Sequence, residues 1–205
     1  MGFRVLTIAR EYGSGGARIA KAVAEHLDWK LLDAALIDAI ARAARVNPKV
    51  VSEFDEHVES WLKRMNRQAM RGAAIAGGVV AGKEECFDAQ TMTELTRQIV
   101  EQAYADGNCV IVGRGAQCIL QRKPDTFHVF LYAPLKERVE RLKSRLKPGT
   151  NLEHKAREID SERAKYLQQR FGEDWKNPHL YDLMVSSHED EDATARLIIC
   201  AMSQE

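Results

Sequence analysis

Apolar runs alternate along the chain with segments in which apolar residues recur at helical spacing. The apolar runs predict five strands, at residues 5–9, 29–32, 109–112, 127–132 and 182–185. Helical spacing predicts helices at residues 19–27, 34–46, 48–70, 91–105, 116–120, 135–146, 152–170 and 193–202. Residues 109–112 are apolar throughout, as in strands that are buried on both faces of a parallel sheet. The alternation predicts a three-layer α/β domain with a parallel sheet.

A glycine-rich loop joins the first predicted strand to the first predicted helix. Residues 10–12 (Arg-Glu-Tyr) end the apolar run, and Gly13, Ser14, Gly15 and Gly16 lead into the helix. Glycines let the backbone turn tightly and bring its N–H groups close to a ligand, and the helix N-terminus adds partial positive charge. The loop therefore predicts a phosphate-binding site. The alternative is a strand-to-helix turn that binds no ligand.

The loop departs from the usual phosphate-binding sequence, G-x-x-x-x-G-K-[ST], at three positions. Arg10 stands at the first glycine position, Gly16 at the lysine position and Ala17 at the hydroxyl position. The chain therefore lacks the ammonium that reaches the β- and γ-phosphates and the hydroxyl that ligates magnesium. Arg10 and Arg18 are the nearest cationic substitutes, and Ser14 is the only serine or threonine inside the loop.

Further candidate residues follow the second and third predicted strands. Asp33 ends the second strand, and Gly113 and Arg114 follow the third. Ligands of parallel sheets bind beyond the carboxyl ends of the strands, so we expect these residues to face the glycine-rich loop. Arginines and glycines at strand ends suit a phosphorylated ligand, because the planar guanidinium matches phosphate oxygens.

The amino-acid composition argues against several classes of protein, among them nucleic-acid-binding and membrane proteins. The 205 residues include 30 basic and 30 acidic side chains, so no net field draws the chain to nucleic acid or to a membrane surface. No apolar run is long enough to span a bilayer. The four cysteines form no C-x-x-C pair and the six histidines show no metal-ligand spacing. We therefore expect a reduced, cytoplasmic protein without a metal site built from its own side chains.

Residues 71–85 interrupt the helical pattern with four glycines. They predict either a mobile loop or a flap that orders over a ligand or a partner chain. A helical face within residues 47–90 offers a surface through which two chains could form a homodimer. The sequence does not decide between the monomer and the dimer.

Several motifs, in the same order along the chain, resemble the cytidylate kinase-like family. They are REYGSGG after the first strand, VIVGRGAQCIL, VFLYAPLKERVERL, D-x-x-R-x-x-Y at residues 160–166, and YDLMVSS. The resemblance runs from about residue 3 to residue 200 and is weakest over residues 68–90. It implies a P-loop phosphotransferase fold with a five-stranded parallel sheet in one domain, residues 1–205. Within that domain it implies a helical acceptor-binding insertion at residues 47–90 and a lid at residues 145–177.

The resemblance also implies roles for named residues. ATP and Mg²⁺ would be the cofactors, and the donor phosphates would lie against Gly13, Ser14, Gly15, Gly16, Ala17 and Arg18. Arg114 matches the arginine that holds the acceptor's phosphate, Asp182 matches an aspartate that binds the cytosine ring, and Asp33 would orient the acceptor. The lid arginines that clamp the transferring group would be Arg138, Arg141, Arg145, Arg157 and Arg163.

Two functions follow from these observations. The first is phosphoryl transfer from ATP to a nucleoside monophosphate, such as CMP or dCMP, or to another small phosphorylated acceptor, with Arg10, Arg18, Arg141 and Arg163 as catalytic candidates. The second is a nucleotide-binding regulatory or interaction module whose degenerate loop does not turn over. The retained arginines favour the kinase, and the missing lysine and hydroxyl favour the module. Gly115 replaces the acid that follows the Gly-Arg pair in cytidylate kinases, which leaves the acceptor open.

Overall fold

The computed structural model describes residues 2–33, 89–187 and 190–203. Within them, five strands form one parallel sheet in the spatial order β2-β3-β1-β4-β5. The strands are β1 (Val5–Arg10), β2 (Lys30–Leu32), β3 (Cys109–Val112), β4 (Thr126–Tyr132) and β5 (Leu183–Ser186). The predicted five-stranded parallel sheet is confirmed, and each strand begins and ends within one residue of its predicted bounds.

The helices of the described residues are α1 (Gly16–Leu27), α2 (Ala89–Asp106), α3 (Ala116–Ile119), α4 (Leu135–Lys143), α5 (Leu152–Phe171) and α6 (Glu191–Met202). A 3₁₀ turn, Pro178–Leu180, precedes β5. Helix α6 begins two residues earlier than predicted, because the Asp190 side chain accepts a hydrogen bond from the Asp192 N–H and caps the helix. The helices predicted at residues 34–46 and 48–70 and the loop at residues 71–85 lie outside the described residues.

The chain separates into two compact units, residues 1–33 with 103–205, and residues 34–102. The first unit holds the whole sheet and helices α1 and α3–α6. Of the second unit, the structure describes residues 89–102, the larger part of α2. None of the helices in the described residues is long and apolar enough to cross a membrane.

Helices cover both faces of the sheet. On one face, α1 and α6 bury side chains such as Ile19 and Ile198 against Leu6, Ile8 and Val129 of the strands. On the other face, Phe130 packs with Ala9, with Leu167 of α5 and with Trp175, whose ring meets Phe130 edge-on at a centroid distance of 5.4 Å. These three layers confirm the predicted α/β architecture.

A buried histidine links the two central strands at their amino-terminal half. His128 in β4 is 6% exposed, and its Nδ1 lies 2.6 Å from Oγ1 of Thr7 in β1. The backbone N–H of His128 donates to Oδ2 of Asp182 at 2.7 Å. Burial lowers the pKa of His128, although the Asp182 carboxylate opposes that shift.

We expect the free energy of unfolding to decrease as the pH falls below about 6.5, the ordinary pKa of histidine. The folded pKa lies below the unfolded one, so the unfolded chain takes up the proton first and gains stability on acidification. The loss should reach about 1.4 kcal/mol for each unit by which the pKa is lowered. Denaturant unfolding between pH 8 and pH 5 measures it, and His128→Gln should flatten the pH profile.

His26→Gln is the matched control, because His26 is exposed on α1. A pH profile that changes equally in both variants would contradict the role given to His128.

Candidate active site

The carboxyl end of β1 runs into a loop that ends at the first residue of α1. Gly13 and Gly15 adopt the left-handed backbone conformation, with φ of 84° and 79°, which glycine reaches without Cβ strain. Gly15 is the N-cap of α1 and makes no side-chain hydrogen bond that would cap the helix. The carboxylate of Glu191 lies where a Cβ at Gly15 would stand. The first turn of α1 presents its backbone N–H groups and the positive end of its dipole to an anion.

A buried arginine of α4 holds this loop in place. NH1 of Arg138 donates to the carbonyl of Tyr12 at 3.1 Å and to Oδ2 of Asp160 on α5 at 2.5 Å. The Nε of Arg138 lies 3.4 Å from Oε2 of Glu11, and Oδ1 of Asp160 accepts from the Tyr12 N–H at 2.7 Å. Arg138 is 7% exposed, so loss of one partner would leave the others charged in a poorly hydrated place. Predicted as a lid arginine, Arg138 contacts the backbone of the loop.

Hydroxyl groups join the loop to the end of β5. Ser14 Oγ donates to the carbonyl of Glu11 at 2.8 Å. Ser187 Oγ donates to the carbonyl of Ser14 at 2.6 Å, and the carbonyl of Ser187 accepts from NH2 of Arg141. Arg141 therefore lies against the segment after β5, and that segment is fastened to the glycine-rich loop.

The side chain of Arg10 runs from the end of β1 towards β3. A Cβ at Gly16 would lie 2.9 Å from Cγ of Arg10, and a Cβ at Gly113 would overlap NH1 of Arg10. The guanidinium therefore reaches the turn that follows β3. Burial, together with the positive charges of Arg163 and Arg114, lowers the pKa of Arg10 to about 9, while the charge of Asp33 opposes the shift.

Arg10, Arg114 and Arg163 form a cluster of like charges, which we call the arginine cluster. NH1 of Arg163 donates to the carbonyl of Arg10 at 2.7 Å, and its guanidinium lies 5.7 Å from the centre of the Tyr12 ring. Burial lowers the pKa of Arg163 as well, and Arg114 and Arg138 add to that shift. Guanidiniums gathered in a half-buried place attract a multiply charged anion, because its oxygens would replace repulsion by charge-assisted hydrogen bonds.

The turn after β3 places Arg114 in this cluster through three consecutive left-handed residues. Gly113, Arg114 and Gly115 have φ of 79°, 56° and 71°. This conformation is uncommon for a residue with a side chain, and such residues concentrate at functional sites. A Cβ at Gly115 would overlap the ring of Phe171 at the end of α5, so that position requires glycine.

The other predicted arginines lie outside the arginine cluster. Arg18 has a side chain that is 69% exposed, and its Nε lies 2.8 Å from Oε2 of Glu191 at the start of α6. Arg157 pairs with Glu153 one turn earlier on the exposed face of α5, and Arg145 is exposed after α4. Of the lid arginines that the sequence suggests, Arg163 alone shares the cluster with Arg10 and Arg114.

The two predicted aspartates lie at opposite ends of the sheet. Asp33 follows the carboxyl end of β2. It lies close enough to Arg10 for its negative charge to raise the pKa of Arg10. Asp182 precedes β5 at the amino end, where its N–H donates to the carbonyl of His128 at 2.8 Å and its Oδ2 accepts from the His128 N–H. The structure therefore brings Asp33, and not Asp182, to the arginine cluster.

Residues that were not singled out as candidates also build the site. Asp160 accepts hydrogen bonds from the Tyr12 N–H of the loop and from Arg138. Oε1 of Glu11 forms an ion pair with Nζ of Lys176 at 3.4 Å. The D-x-x-R spacing that includes Asp160 was the available signal, since it places Asp160 and Arg163 on one side of a helix. Within the described residues, no group of three His, Cys, Asp or Glu side chains could hold a metal ion.

Comparison with known proteins gives one family. The model described as "Cytidylate kinase-like family" matches residues 5–189. None of the curated proteins compared with the chain matches it.

Solved structures share the fold. An uncharacterized protein from Eubacterium ventriosum is 20% identical, with 98% of this chain and 99% of that chain covered and a TM-score of 0.69. Shikimate kinase from Acinetobacter baumannii, in complex with shikimate, is 13% identical over 99% and 96% of the two chains, with a TM-score of 0.53. The APS kinase of Mycobacterium tuberculosis, in complex with AMPPNP and APS, is 15% identical over 99% of each chain, with a TM-score of 0.50. The fold is that of the P-loop kinases.

We expect Arg10→Met to raise the free energy of unfolding in a buffer without phosphate or sulfate. The variant keeps an apolar stem and removes a buried cation that lies beside two others, so a gain of about 0.5–2 kcal/mol is expected. Phosphate should stabilise the wild type by mass action and stabilise the variant less. Thermal and denaturant unfolding with and without phosphate measure both effects.

Arg196→Met removes a cation from the exposed surface of α6 and should change neither quantity. A destabilised Arg10→Met variant, or one that phosphate stabilises as much as the wild type, would contradict an anion site at the arginine cluster.

Proposed function

The chain belongs to the cytidylate kinase-like family, and on that premise we propose that it transfers a phosphoryl group from ATP to a nucleoside monophosphate. The acceptor would be of the CMP or dCMP kind or another small phosphorylated molecule. The arginine cluster carries this proposal, because three guanidiniums meet at the carboxyl ends of β1 and β3 beside the N-terminus of α1. Phosphoryl transfer requires this kind of charge neutralisation and little covalent chemistry from the protein.

The donor phosphates would lie on the glycine-rich loop and the first turn of α1. Gly13 and Gly15 adopt the left-handed conformation that shapes the loop, and Gly16 and Ala17 begin the helix whose first N–H groups would face the phosphates. Ser14 contributes to the shape of the loop through its bond to Glu11. Arg18, paired with Glu191 at the surface, would reach the donor only by leaving that partner.

The acceptor's phosphate would lie at the turn after β3, on Arg114. Arg163 approaches from α5 and Arg10 from β1, and on this proposal the three cations would surround a position between donor and acceptor. Holding two phosphates in line at this position supplies most of the catalysis in such reactions. Asp33 is the carboxylate near this position that would orient the acceptor. Arg141 would act indirectly, by holding the segment at Ser187 against the loop.

The Mg²⁺ ion that accompanies ATP would be held largely by the phosphates. Mg²⁺ in such sites keeps several waters and takes one or two protein oxygens. Ala17 offers no hydroxyl, and the described residues contain no cluster of carboxylates that could form a separate metal site. The bound ion would neutralise charge on the transferring group. We further propose that the enzyme is cytoplasmic, on the spacing of its four cysteines, which form no C-x-x-C pair.

The second candidate is a nucleotide-binding regulatory module. The absence of the loop lysine and of the hydroxyl at residue 17 favours it, since both groups contribute to turnover in P-loop enzymes. The helical face that the sequence predicts within residues 47–90, where two chains could pair as a homodimer, would then serve as a partner surface.

Consumption of ATP with Mg²⁺ against CMP, dCMP, UMP, AMP and GMP tests the proposal, with calorimetry of ATP binding alongside. Turnover with one acceptor is expected. Binding of ATP without turnover on any acceptor would favour the regulatory module, and failure to bind ATP would overturn both candidates.

We expect Arg114→Ala to raise the KM of the acceptor by about 10- to 100-fold, the effect of losing hydrogen bonds to a charged group. Arg114→Lys should recover only part of this, because an ammonium cannot form the paired bonds of a guanidinium. Steady-state kinetics with the acceptor varied measures both variants. Arg122→Ala, on the exposed loop after α3, is the control. An unchanged KM in Arg114→Ala would contradict the placement of the acceptor.

A further inference from the structure

Two of the three departures from the usual phosphate-binding loop contact each other. Residue 10 carries a long cation where that loop has glycine, and residue 16 is glycine where that loop has lysine. A Cβ at residue 16 would lie 2.9 Å from Cγ and 3.1 Å from Cβ of Arg10. These atoms belong to the stem of the arginine, which cannot move without moving the guanidinium. A side chain at residue 16 therefore requires the stem of Arg10 to shift from its path.

A second glycine accommodates the other end of the same side chain. Gly113 has φ of 79°, and a Cβ there would overlap NH1 of Arg10. The backbone of Arg10 is fixed as well, because its carbonyl accepts from Arg163 at 2.7 Å and the next N–H, of Glu11, donates to the carbonyl of Leu131 at 2.9 Å. Arg10 thus lies between two glycines and links the first turn of α1 to the turn after β3.

We propose that Arg10 and Gly16 are an exchanged pair. In the usual loop, the lysine stands at the position of residue 16 and extends over a glycine at the position of residue 10. In this chain, the arginine stands at residue 10 and extends over a glycine at residue 16. Gly16 and Gly113 are then positioning residues, which keep open the path that Arg10 occupies. This assignment rests on the proposed function for its catalytic meaning, but the steric relation stands on the contacts alone.

The exchange changes what the cation can do. A lysine would deliver a point charge, whereas the guanidinium of Arg10 offers a planar set of donors. The stem of Arg10 passes Gly16 and its guanidinium lies at Gly113, in the turn that carries Arg114, so the guanidinium would donate to the phosphoryl group in transit between donor and acceptor. During transfer, an acceptor oxygen forms a bond to the γ-phosphorus while the bond to the β–γ bridging oxygen breaks, and that electron pair stays on ADP. Arg10 forms no covalent bond and stabilises the charge on the group in transit.

The test measures three quantities on the full chain: binding of tripolyphosphate by calorimetry, kcat with ATP and the best acceptor, and thermal unfolding. Gly16→Ala should weaken tripolyphosphate binding and lower kcat, each by about 10-fold or more, because the new methyl group displaces Arg10. Its thermal stability should not fall, since alanine is the better helix former at this position. Gly2→Ala is the matched control, because nothing lies within 4 Å of a Cβ at Gly2.

The reciprocal exchange separates this proposal from a merely structural role. Arg10→Gly should weaken tripolyphosphate binding by about 100-fold, and the double variant Arg10→Gly/Gly16→Lys should bind about 10-fold more tightly than Arg10→Gly alone. Unfolding curves check that each variant is folded.

A Gly16→Ala variant that binds and turns over like Gly2→Ala would overturn the proposal. A folded double variant that binds no better than Arg10→Gly would do the same. If the wild type binds tripolyphosphate through Arg10 but phosphorylates no acceptor, the exchange stands and the proposed function fails. If the wild type does not bind tripolyphosphate, the exchange itself is overturned.

Discussion

Repulsion among like charges is the constraint on which this site depends. The fold places Arg10, Arg114 and Arg163 together, and it does so in a half-buried region where water screens their charges poorly. Such an arrangement is unfavourable in the empty protein and favourable once an anion is bound. The repulsion lowers the free energy of unfolding of the empty protein, and bound phosphate oxygens relieve it. The same charges therefore destabilise the empty protein and strengthen phosphate binding, as is usual at a functional site.

A second group of charges offsets this repulsion and shapes the loop. Glu11, Arg138 and Asp160 alternate in sign, and they tie the residues before Gly13 to α4 and α5. The bridge between Asp160 and the Tyr12 N–H means that α5 contributes both a loop anchor and, one turn later, Arg163 of the cluster. The position of α5 and the conformation of the loop are therefore coupled. A change in one should alter the charge arrangement of the other.

Much of the fold could be predicted from the sequence, because each strand is a short apolar run and each crossover helix has helical spacing. The sequence predicts the start of α6 two residues too late, since Asp190 caps a helix whose first two residues, Glu191 and Asp192, are acidic. For the site, the residues at the strand ends and the glycines of the loop predicted the correct edge of the sheet. The path of Arg10 could not be predicted, because Gly16 and Gly113 are almost 100 residues apart and their shared neighbour is visible only in space. Asp182 matched a motif, yet it precedes β5 and therefore lies at the amino end of the sheet, away from the arginine cluster.

The central claim is that the three guanidiniums of the arginine cluster together contact the γ-phosphoryl group of ATP at the position from which it passes to the acceptor. The most direct measurement is a titration with ATP followed by NMR of the arginine Nε–H signals, assigned by single substitutions. The signals of Arg10, Arg114 and Arg163 are expected to shift together with one dissociation constant, while that of the exposed Arg196 stays unchanged. Shifts confined to Arg18 and its surroundings, or no shift in the cluster, would contradict the account.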